Sequence, residues 1–372
     1  MTPAYELALL LKPAGGGVYV VSSGRAAQLA MQKRLYRATN EEEIEARFLE
    51  SLERIATARV LVLGIPSDVG AGYVRGANLG PQEIRARLIE DDPAWPDRMR
   101  ALGVVDIGDV LVVPQLLHDD MLTEDQKKRT RDATYPSVLS AIERDSLPVS
   151  PLSRAERALD LALAINPRAA PFVLGGDHSC AWPAVASLSR HHQKTTWGIV
   201  QIDAHTDLLE ERLGIRICFA TWSWHANELL GRGERLVQVG IRATRHERDH
   251  WEKTLGVRQF WADECLRDPS KAIDAIVAHV EKTGVRGVYF SNDIDGTDER
   301  WADATGTPEP GGLEPDFVVE LVRRLSKKVP LIGGDIMEVA PPVQRRENGA
   351  RTTVGVAARY ARETIEAITA GR

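Results

Sequence analysis

Six side chains with metal-ligating chemistry fall in three short segments: His178 in Gly175-Gly176-Asp177-His178-Ser179, then Asp203, His205 and Asp207, then Asp293 and Asp295. Two imidazoles and four carboxylates form a borderline-hard donor set. Such a set suits Mn²⁺, Ni²⁺, Co²⁺, Fe²⁺ or Zn²⁺ better than thiolate-seeking metals. Alternate residues of an extended segment point to one face, so Asp203, His205 and Asp207 are expected to converge, as are Asp293 and Asp295. Four carboxylates brought together repel unless cations neutralise them. Six ligands suffice for two metals that share bridging carboxylates, with a water or hydroxide between them. Alone, a single Asp-x-Asp or a Gly-Gly-Asp reads as a turn or a helix cap. The weight lies in three such sites.

Each segment directly follows an apolar run. Strands are expected at 59–63, 103–107, 171–174, 197–202, 235–239, 286–290 and 329–332. Several are nearly continuous apolar runs, as befits strands covered on both faces. Helical stretches lie between them at 81–90, 155–165, 271–282 and 316–327. This alternation implies parallel crossover units and a three-layer α/β fold. Ligands in such sheets bind beyond the carboxyl ends of the strands, which is where the His and Asp residues stand. The Gly/Pro-rich stretch 304–315 reads as a shaped loop.

Residues 1–57 differ in pattern and are expected to form an N-terminal extension to a domain spanning 58–372. They contain three glycines at 15–17, a short apolar run from Val18 to Val21, and a helix at about 40–56. Asn40 can cap that helix, with Glu43 at capping-box spacing. No basic stretch precedes the apolar run near Met1, so these residues are expected to be mature chain and not a signal peptide.

Composition narrows the class. The 372 residues are 43% hydrophobic and 27% charged, which excludes wholesale disorder. The formal net charge of −6 argues against a nucleic-acid binder. No run of 18 apolar residues occurs, which argues against a membrane-spanning helix. Three cysteines without Cys-x-x-Cys spacing make neither a disulfide framework nor a zinc ribbon. A cytoplasmic protein is expected.

The chain resembles the ureohydrolase family of arginases and agmatinases. The resemblance rests on GIPSDVGAG (64–72), LGP followed by IR (79–85), DIGD (106–109), GGDHS (175–179), DAHTD (203–207), QVGIR (238–242), SNDIDGTD (291–298), GTPEPGG (306–312) and GGDIMEVAPP (333–342). The Gly-Thr-Pro and Glu-Val-Ala-Pro segments are most similar to the agmatinase branch. The resemblance implies a three-layer α/β/α domain around a mainly parallel eight-stranded sheet. It implies two metals, Mn²⁺ first and Ni²⁺ as the alternative. His178 and Asp207 would hold one and His205 and Asp295 the other, with Asp203 and Asp293 bridging. A water shared by the two ions becomes hydroxide near neutral pH and attacks a guanidinium carbon. Glu338 matches the position that binds the guanidinium, and Asp207 is placed to carry a proton to the leaving amine. The implied partner is a small guanidino substrate. The implied assembly is a homo-oligomer, trimer or hexamer, and a mixed assembly with a related subunit is the alternative.

Three departures bear on specificity. The family's shuttle histidine aligns with Cys218, whose thiol with a lowered pKa could relay protons; nearby His225 is the other candidate for that role. Trp301, in the loop that leads to Gly-Thr-Pro, is expected to narrow the substrate pocket. Together with Trp222 and Trp224 it points to an aromatic-lined site for a small cation such as free guanidine or a short alkylguanidine. Agmatine is the alternative substrate. Asn78 stands where many relatives carry Arg. A metal-binding but silent subunit is a second reading, and a deacylase a third; Glu338 argues against the deacylase, because a carboxylate there suits a cationic substrate.

Overall fold

The computed structural model describes residues 1–18, 23–192 and 196–371. Most of the apolar run 18–21 lies outside the described residues. Nine strands form one sheet: β1 (Leu11–Lys12), β2 (Val60–Ile65), β3 (Val104–Val110), β4 (Ala170–Gly175), β5 (Gly198–Ile202), β6 (Leu236–Ile241), β7 (Arg258–Trp261), β8 (Val288–Asn292) and β9 (Leu331–Ile336). Their order is β1-β3-β2-β4-β9-β8-β5-β6-β7. Every neighbouring pair is parallel except β1 with β3. The eight parallel strands are the expected sheet, and the N-terminal extension adds β1 as an antiparallel edge.

Alternation along β2 builds both outer layers. Leu61, Leu63 and Ile65 join one apolar core, and Val60 and Val62 join the other. The first core takes helices 3–10, 41–53, 151–165, 182–191 and 222–230; the second takes 25–36, 80–91, 269–282, 315–326 and 349–370. Among the described residues no helix is long and apolar enough to cross a membrane.

All seven expected strands are present within a few residues of their predicted limits. β7 has no counterpart among them. It is only four residues long, and Arg258 and Gln259 break its apolar pattern at the sheet edge. Asn40 caps helix 41–53 by accepting the Glu43 N–H at 2.8 Å. The Glu43 carboxylate returns to Thr39 N at 2.7 Å, one residue before the expected capping-box partner.

The N-terminal residues pack into the same fold as the rest of the chain. Leu7, Leu10, Leu11 and Phe48 are buried in the first core. Arg85, from the Ile-Arg segment, bridges both acids of the Asp-Ile-Gly-Asp segment, reaching Asp106 at 2.8 Å and Asp109 at 2.5 Å. The second oxygen of Asp109 accepts the Gly15 N–H at 2.8 Å.

Candidate metal centre

The carboxyl ends of β4, β9, β8 and β5 stand side by side at the middle of the sheet. β4 delivers His178, β5 delivers Asp203 to Asp207, and β8 delivers Asp293 and Asp295. β8 and β5 are neighbours, whereas β9 lies between β4 and β8, and its own end supplies Glu338. Gly176 permits the tight turn after β4, since a Cβ there would stand 1.8 Å from the Ser67 carbonyl oxygen.

The candidate ligands fall in two groups that share one residue: His178, Asp203 and Asp207, and Asp203, His205 and Asp295. His178 Nδ1 lies 2.9 Å from Asp293, 3.2 Å from Asp203 and 3.4 Å from Asp207. His205 Nδ1 lies 3.1 Å from Asp295 and 3.7 Å from Asp203. All six side chains expected from the sequence are therefore brought together. Strand alternation alone does not do it, because β5 ends at Ile202. Asp207 swings toward His178 from a left-handed backbone (φ 51°), and Glu338 has φ 62°. Such conformations cost non-glycine residues energy and gather at functional sites.

Outer contacts orient the ligands. His178 Nε2 meets Ser291 Oγ at 3.0 Å, and that hydroxyl donates to the buried Asp335. Nδ1 is left without a hydrogen-bond partner although three carboxylates face it. Trp222 lies 4.5 Å from the His178 ring, centroid to centroid, and donates its indole N–H to Asp207 at 3.1 Å. Thr307, of the Gly-Thr-Pro segment, donates to Asp295 at 3.0 Å. Arg242, of the Gln-Val-Gly-Ile-Arg segment, holds that loop by donating to the carbonyls of Asp295 at 2.7 Å and Glu309 at 2.9 Å.

Three buried glutamines escaped the sequence reading. Gln201 donates to Asp203 at 2.7 Å, Gln238 to Gln201 at 2.9 Å, and Gln259 to Gln238 at 2.8 Å. Trp261 Nε1 ends the chain on Gln259 at 3.0 Å. A lone glutamine within the apolar runs of β5 and β6 was the available signal; in β7, Arg258 beside Gln259 obscures it.

The electrostatics match a cation site. Burial and the Asp203 charge push the Asp207 carboxyl well above its usual range. Burial, Asp295 and Asp203 do the same to Asp293. Burial would lower His205, but Asp295 and Asp203 push it up to about 12. Burial would raise Asp203, but His178 and His205 bring it well below the carboxylate range. The acids cannot all ionise together, and divalent cations between them would relieve the repulsion.

Glu338 faces the same cavity, of about 210 Å³, with Asp293, Asp295 and Thr307 in its lining. One of its oxygens accepts the His178 N–H at 2.9 Å. Burial, then Asp293 and Asp177, raise its pKa, an effect that a cation beside it would oppose.

The other expected residues are elsewhere. Trp301 is 41% exposed and donates its indole N–H to Glu314 at 2.9 Å; it does not line the cavity. Cys218 lines an adjoining cavity, and burial raises its thiol pKa, opposite to the lowering a relay would use. His225 Nε2 meets the carbonyls of Glu210 and Arg216, each at 3.0 Å, and so ties down the loop between them. Its ring lies 4.8 Å from Trp224, centroid to centroid, and does not reach the carboxylates. The aromatic rings that do line the cavity are Tyr73 and Phe219.

Comparison with known proteins agrees with this fold. The family model described as the arginase family matches residues 58–366. The guanidinobutyrase of Pseudomonas aeruginosa is 31% identical over 296 residues, covering 77% of this chain and 80% of that protein. The mitochondrial agmatinase of Gallus gallus is 31% identical over 291 residues, covering 75% and 73%. The solved structure of proclavaminate amidino hydrolase from Streptomyces clavuligerus superposes with a TM-score of 0.63 at 28% identity, covering 85% of this chain and 93% of that one. With a matching model over most of its length and this fold, the chain belongs to the arginase family.

Proposed function

We propose that this chain is a metal-dependent ureohydrolase that cleaves a C–N bond of a guanidino compound, releasing urea and an amine or ammonia. One observation carries the reading: two ligand groups share Asp203, and the buried Glu338 faces the same cavity. Relatives named for guanidinobutyrate and agmatine support it.

The donor set fits two divalent cations. Contact with Ser291 occupies His178 Nε2, which leaves Nδ1 as the nitrogen available to a metal. His178 and Asp207 would hold one cation, His205 and Asp295 the other, and Asp203 and Asp293 would lie between them. The resemblance favours Mn²⁺, with Ni²⁺ the alternative. Two such ions would supply the Lewis acidity that activates water as a nucleophile near neutral pH.

The chain's own residues do the rest. Glu338 pairs with the guanidinium and sets its planar carbon beside the ligand groups. Asp207 takes up a proton and returns it to the departing nitrogen, its carboxylate held by the Trp222 N–H. The inner cavity by itself accommodates free guanidine or a short alkylguanidine, and an adjoining cavity of about 740 Å³ leaves room for a tail such as that of agmatine. A cytoplasmic homo-oligomer, trimer or hexamer, completes the proposal.

The test is urea release by protein stripped of metal and reloaded with Mn²⁺ or Ni²⁺. The panel is guanidine, methylguanidine, dimethylguanidine, agmatine, arginine and guanidinobutyrate. Urea from any of them supports the reading. Two bound metals with no urea from any would overturn it in favour of a silent subunit.

A further inference from the structure

The space above the metal centre is divided by charge. The inner cavity is acidic, with Asp207, Asp293, Asp295 and Glu338 in its lining. The outer cavity shares His205, Asp207, Arg212 and Phe219 with it and adds Arg245. Among the described residues its only carboxylate is the shared Asp207. Neither Arg212 nor Arg245 has a carboxylate or hydrogen-bond partner for its guanidinium among the described residues, whereas nearby Arg216 is paired with Asp120.

Arg212 is held in place by its backbone. Arg212 and Ile215 exchange both backbone hydrogen bonds, at 3.0 and 2.9 Å, around a two-residue turn of Leu213 (φ 53°) and Gly214 (φ 78°). Positive φ at both central positions is the tight hairpin geometry. His225 and the Arg216–Asp120 pair anchor the hairpin base. The Arg212 guanidinium lies over the Phe219 ring, 4.8 Å from its centroid. Gly72 makes room for that stack, since a Cβ there would stand 2.2 Å from Phe219 Cζ.

We propose that the substrate is a zwitterion, an ω-guanidino carboxylate, with its guanidinium at Glu338 and its carboxylate at Arg212, and with Arg245 adding to the field around the tail. This rests on the ureohydrolase reading above and names its substrate class. An ammonium tail, as in agmatine, would face a like charge at Arg212. A tailless guanidine would leave that guanidinium unused.

The test compares kcat/KM for guanidinobutyrate, agmatine and methylguanidine, using metal-loaded wild type, Arg212→Gln and Arg212→Glu. The wild type should prefer the acid over agmatine, and Arg212→Gln should cut that preference about 10–100-fold through KM, the usual worth of a charged hydrogen bond. Arg212→Glu should put agmatine ahead. In the wild type the preference should also shrink as salt rises, a readout that needs no variant. Preference of the wild type for agmatine or methylguanidine, or a ratio unmoved by Arg212→Gln in folded protein, would overturn the proposal and leave the ureohydrolase reading standing. If neither Arg212 variant folds, Arg245→Gln together with the salt series decides it in the same way. No urea from any compound would overturn both.

Discussion

Gln201 donates to Asp203 at 2.7 Å from within the sheet, so the carboxylate shared by both ligand groups is oriented from the interior. The amide chain behind it has only one workable polarity. Asp203 accepts at one end and Trp261 N–H donates at the other, which dictates how Gln201, Gln238 and Gln259 turn. Gln238→Leu should orphan Gln259 Nε2 and leave the Thr206 carbonyl, now 2.6 Å from Gln238, without its donor. The cost should be about 1–3 kcal/mol per orphaned group, read from urea denaturation. Gln201→Leu should weaken metal affinity by about 10–100-fold, as loss of outer-shell partners does. An unchanged denaturation midpoint for Gln238→Leu would mean the chain is not stabilising.

Asp203→Asn should release metal from both groups and abolish turnover, with metal content measured by elemental analysis. Asp293→Asn is expected to do the same. Two metals per chain in an active Asp293→Asn variant would remove Asp293 from the ligand set.

Glu338→Gln should abolish urea release while the protein still folds and binds metal. The amide keeps the shape and the bond from the His178 N–H but loses the charge that a guanidinium needs. Full urea release by this variant would sink the guanidinium-binding role of Glu338.

Asp109→Ala should destabilise the protein by about 3–5 kcal/mol, because it leaves the buried Arg85 short of a partner and frees Gly15 N–H. Thermal or urea denaturation reads the change. Deleting residues 1–57 should cause aggregation, since it uncovers Val105, Ile107 and other members of the first core. A monodisperse, folded protein without them would show the extension to be separable.

His225 gives a pH-dependent prediction. Burial, then the Arg216 charge, hold its pKa below the ordinary 6.5. The folded state therefore binds the proton less well than the unfolded chain. The stability involved is complete above pH 6.5 and is lost as pH falls through the depressed folded value. His225→Gln should flatten the dependence of Tm on pH below about 6.5. It should leave kcat close to wild type, because the imidazole holds a loop and does not face the ligands. A large fall in kcat with unchanged Tm would restore His225 as a proton carrier.

The candidate metal ligands were legible in the sequence because they are local features. Each sits within five residues of the end of an apolar strand, and strand ends in a parallel sheet all face one way. The seven strands read from β-branched runs share that origin, and β7 was missed because an edge strand of four residues buries too little to show a pattern. Tertiary structure decided which strands are neighbours. β9 enters between β4 and β8 and brings Glu338 into the acidic cavity, which no run of residues announces. It also decided where loop side chains point. Cys218, His225 and Trp301 lie near the ligands in sequence or on the same loops, yet packing turns them to an adjoining cavity, a loop backbone and the surface. The same long-range packing stacked Arg212 on Phe219 and lined three glutamines behind Asp203. Local periodicity specifies which face of its own element a residue takes; the contacts it makes there depend on segments distant in the chain.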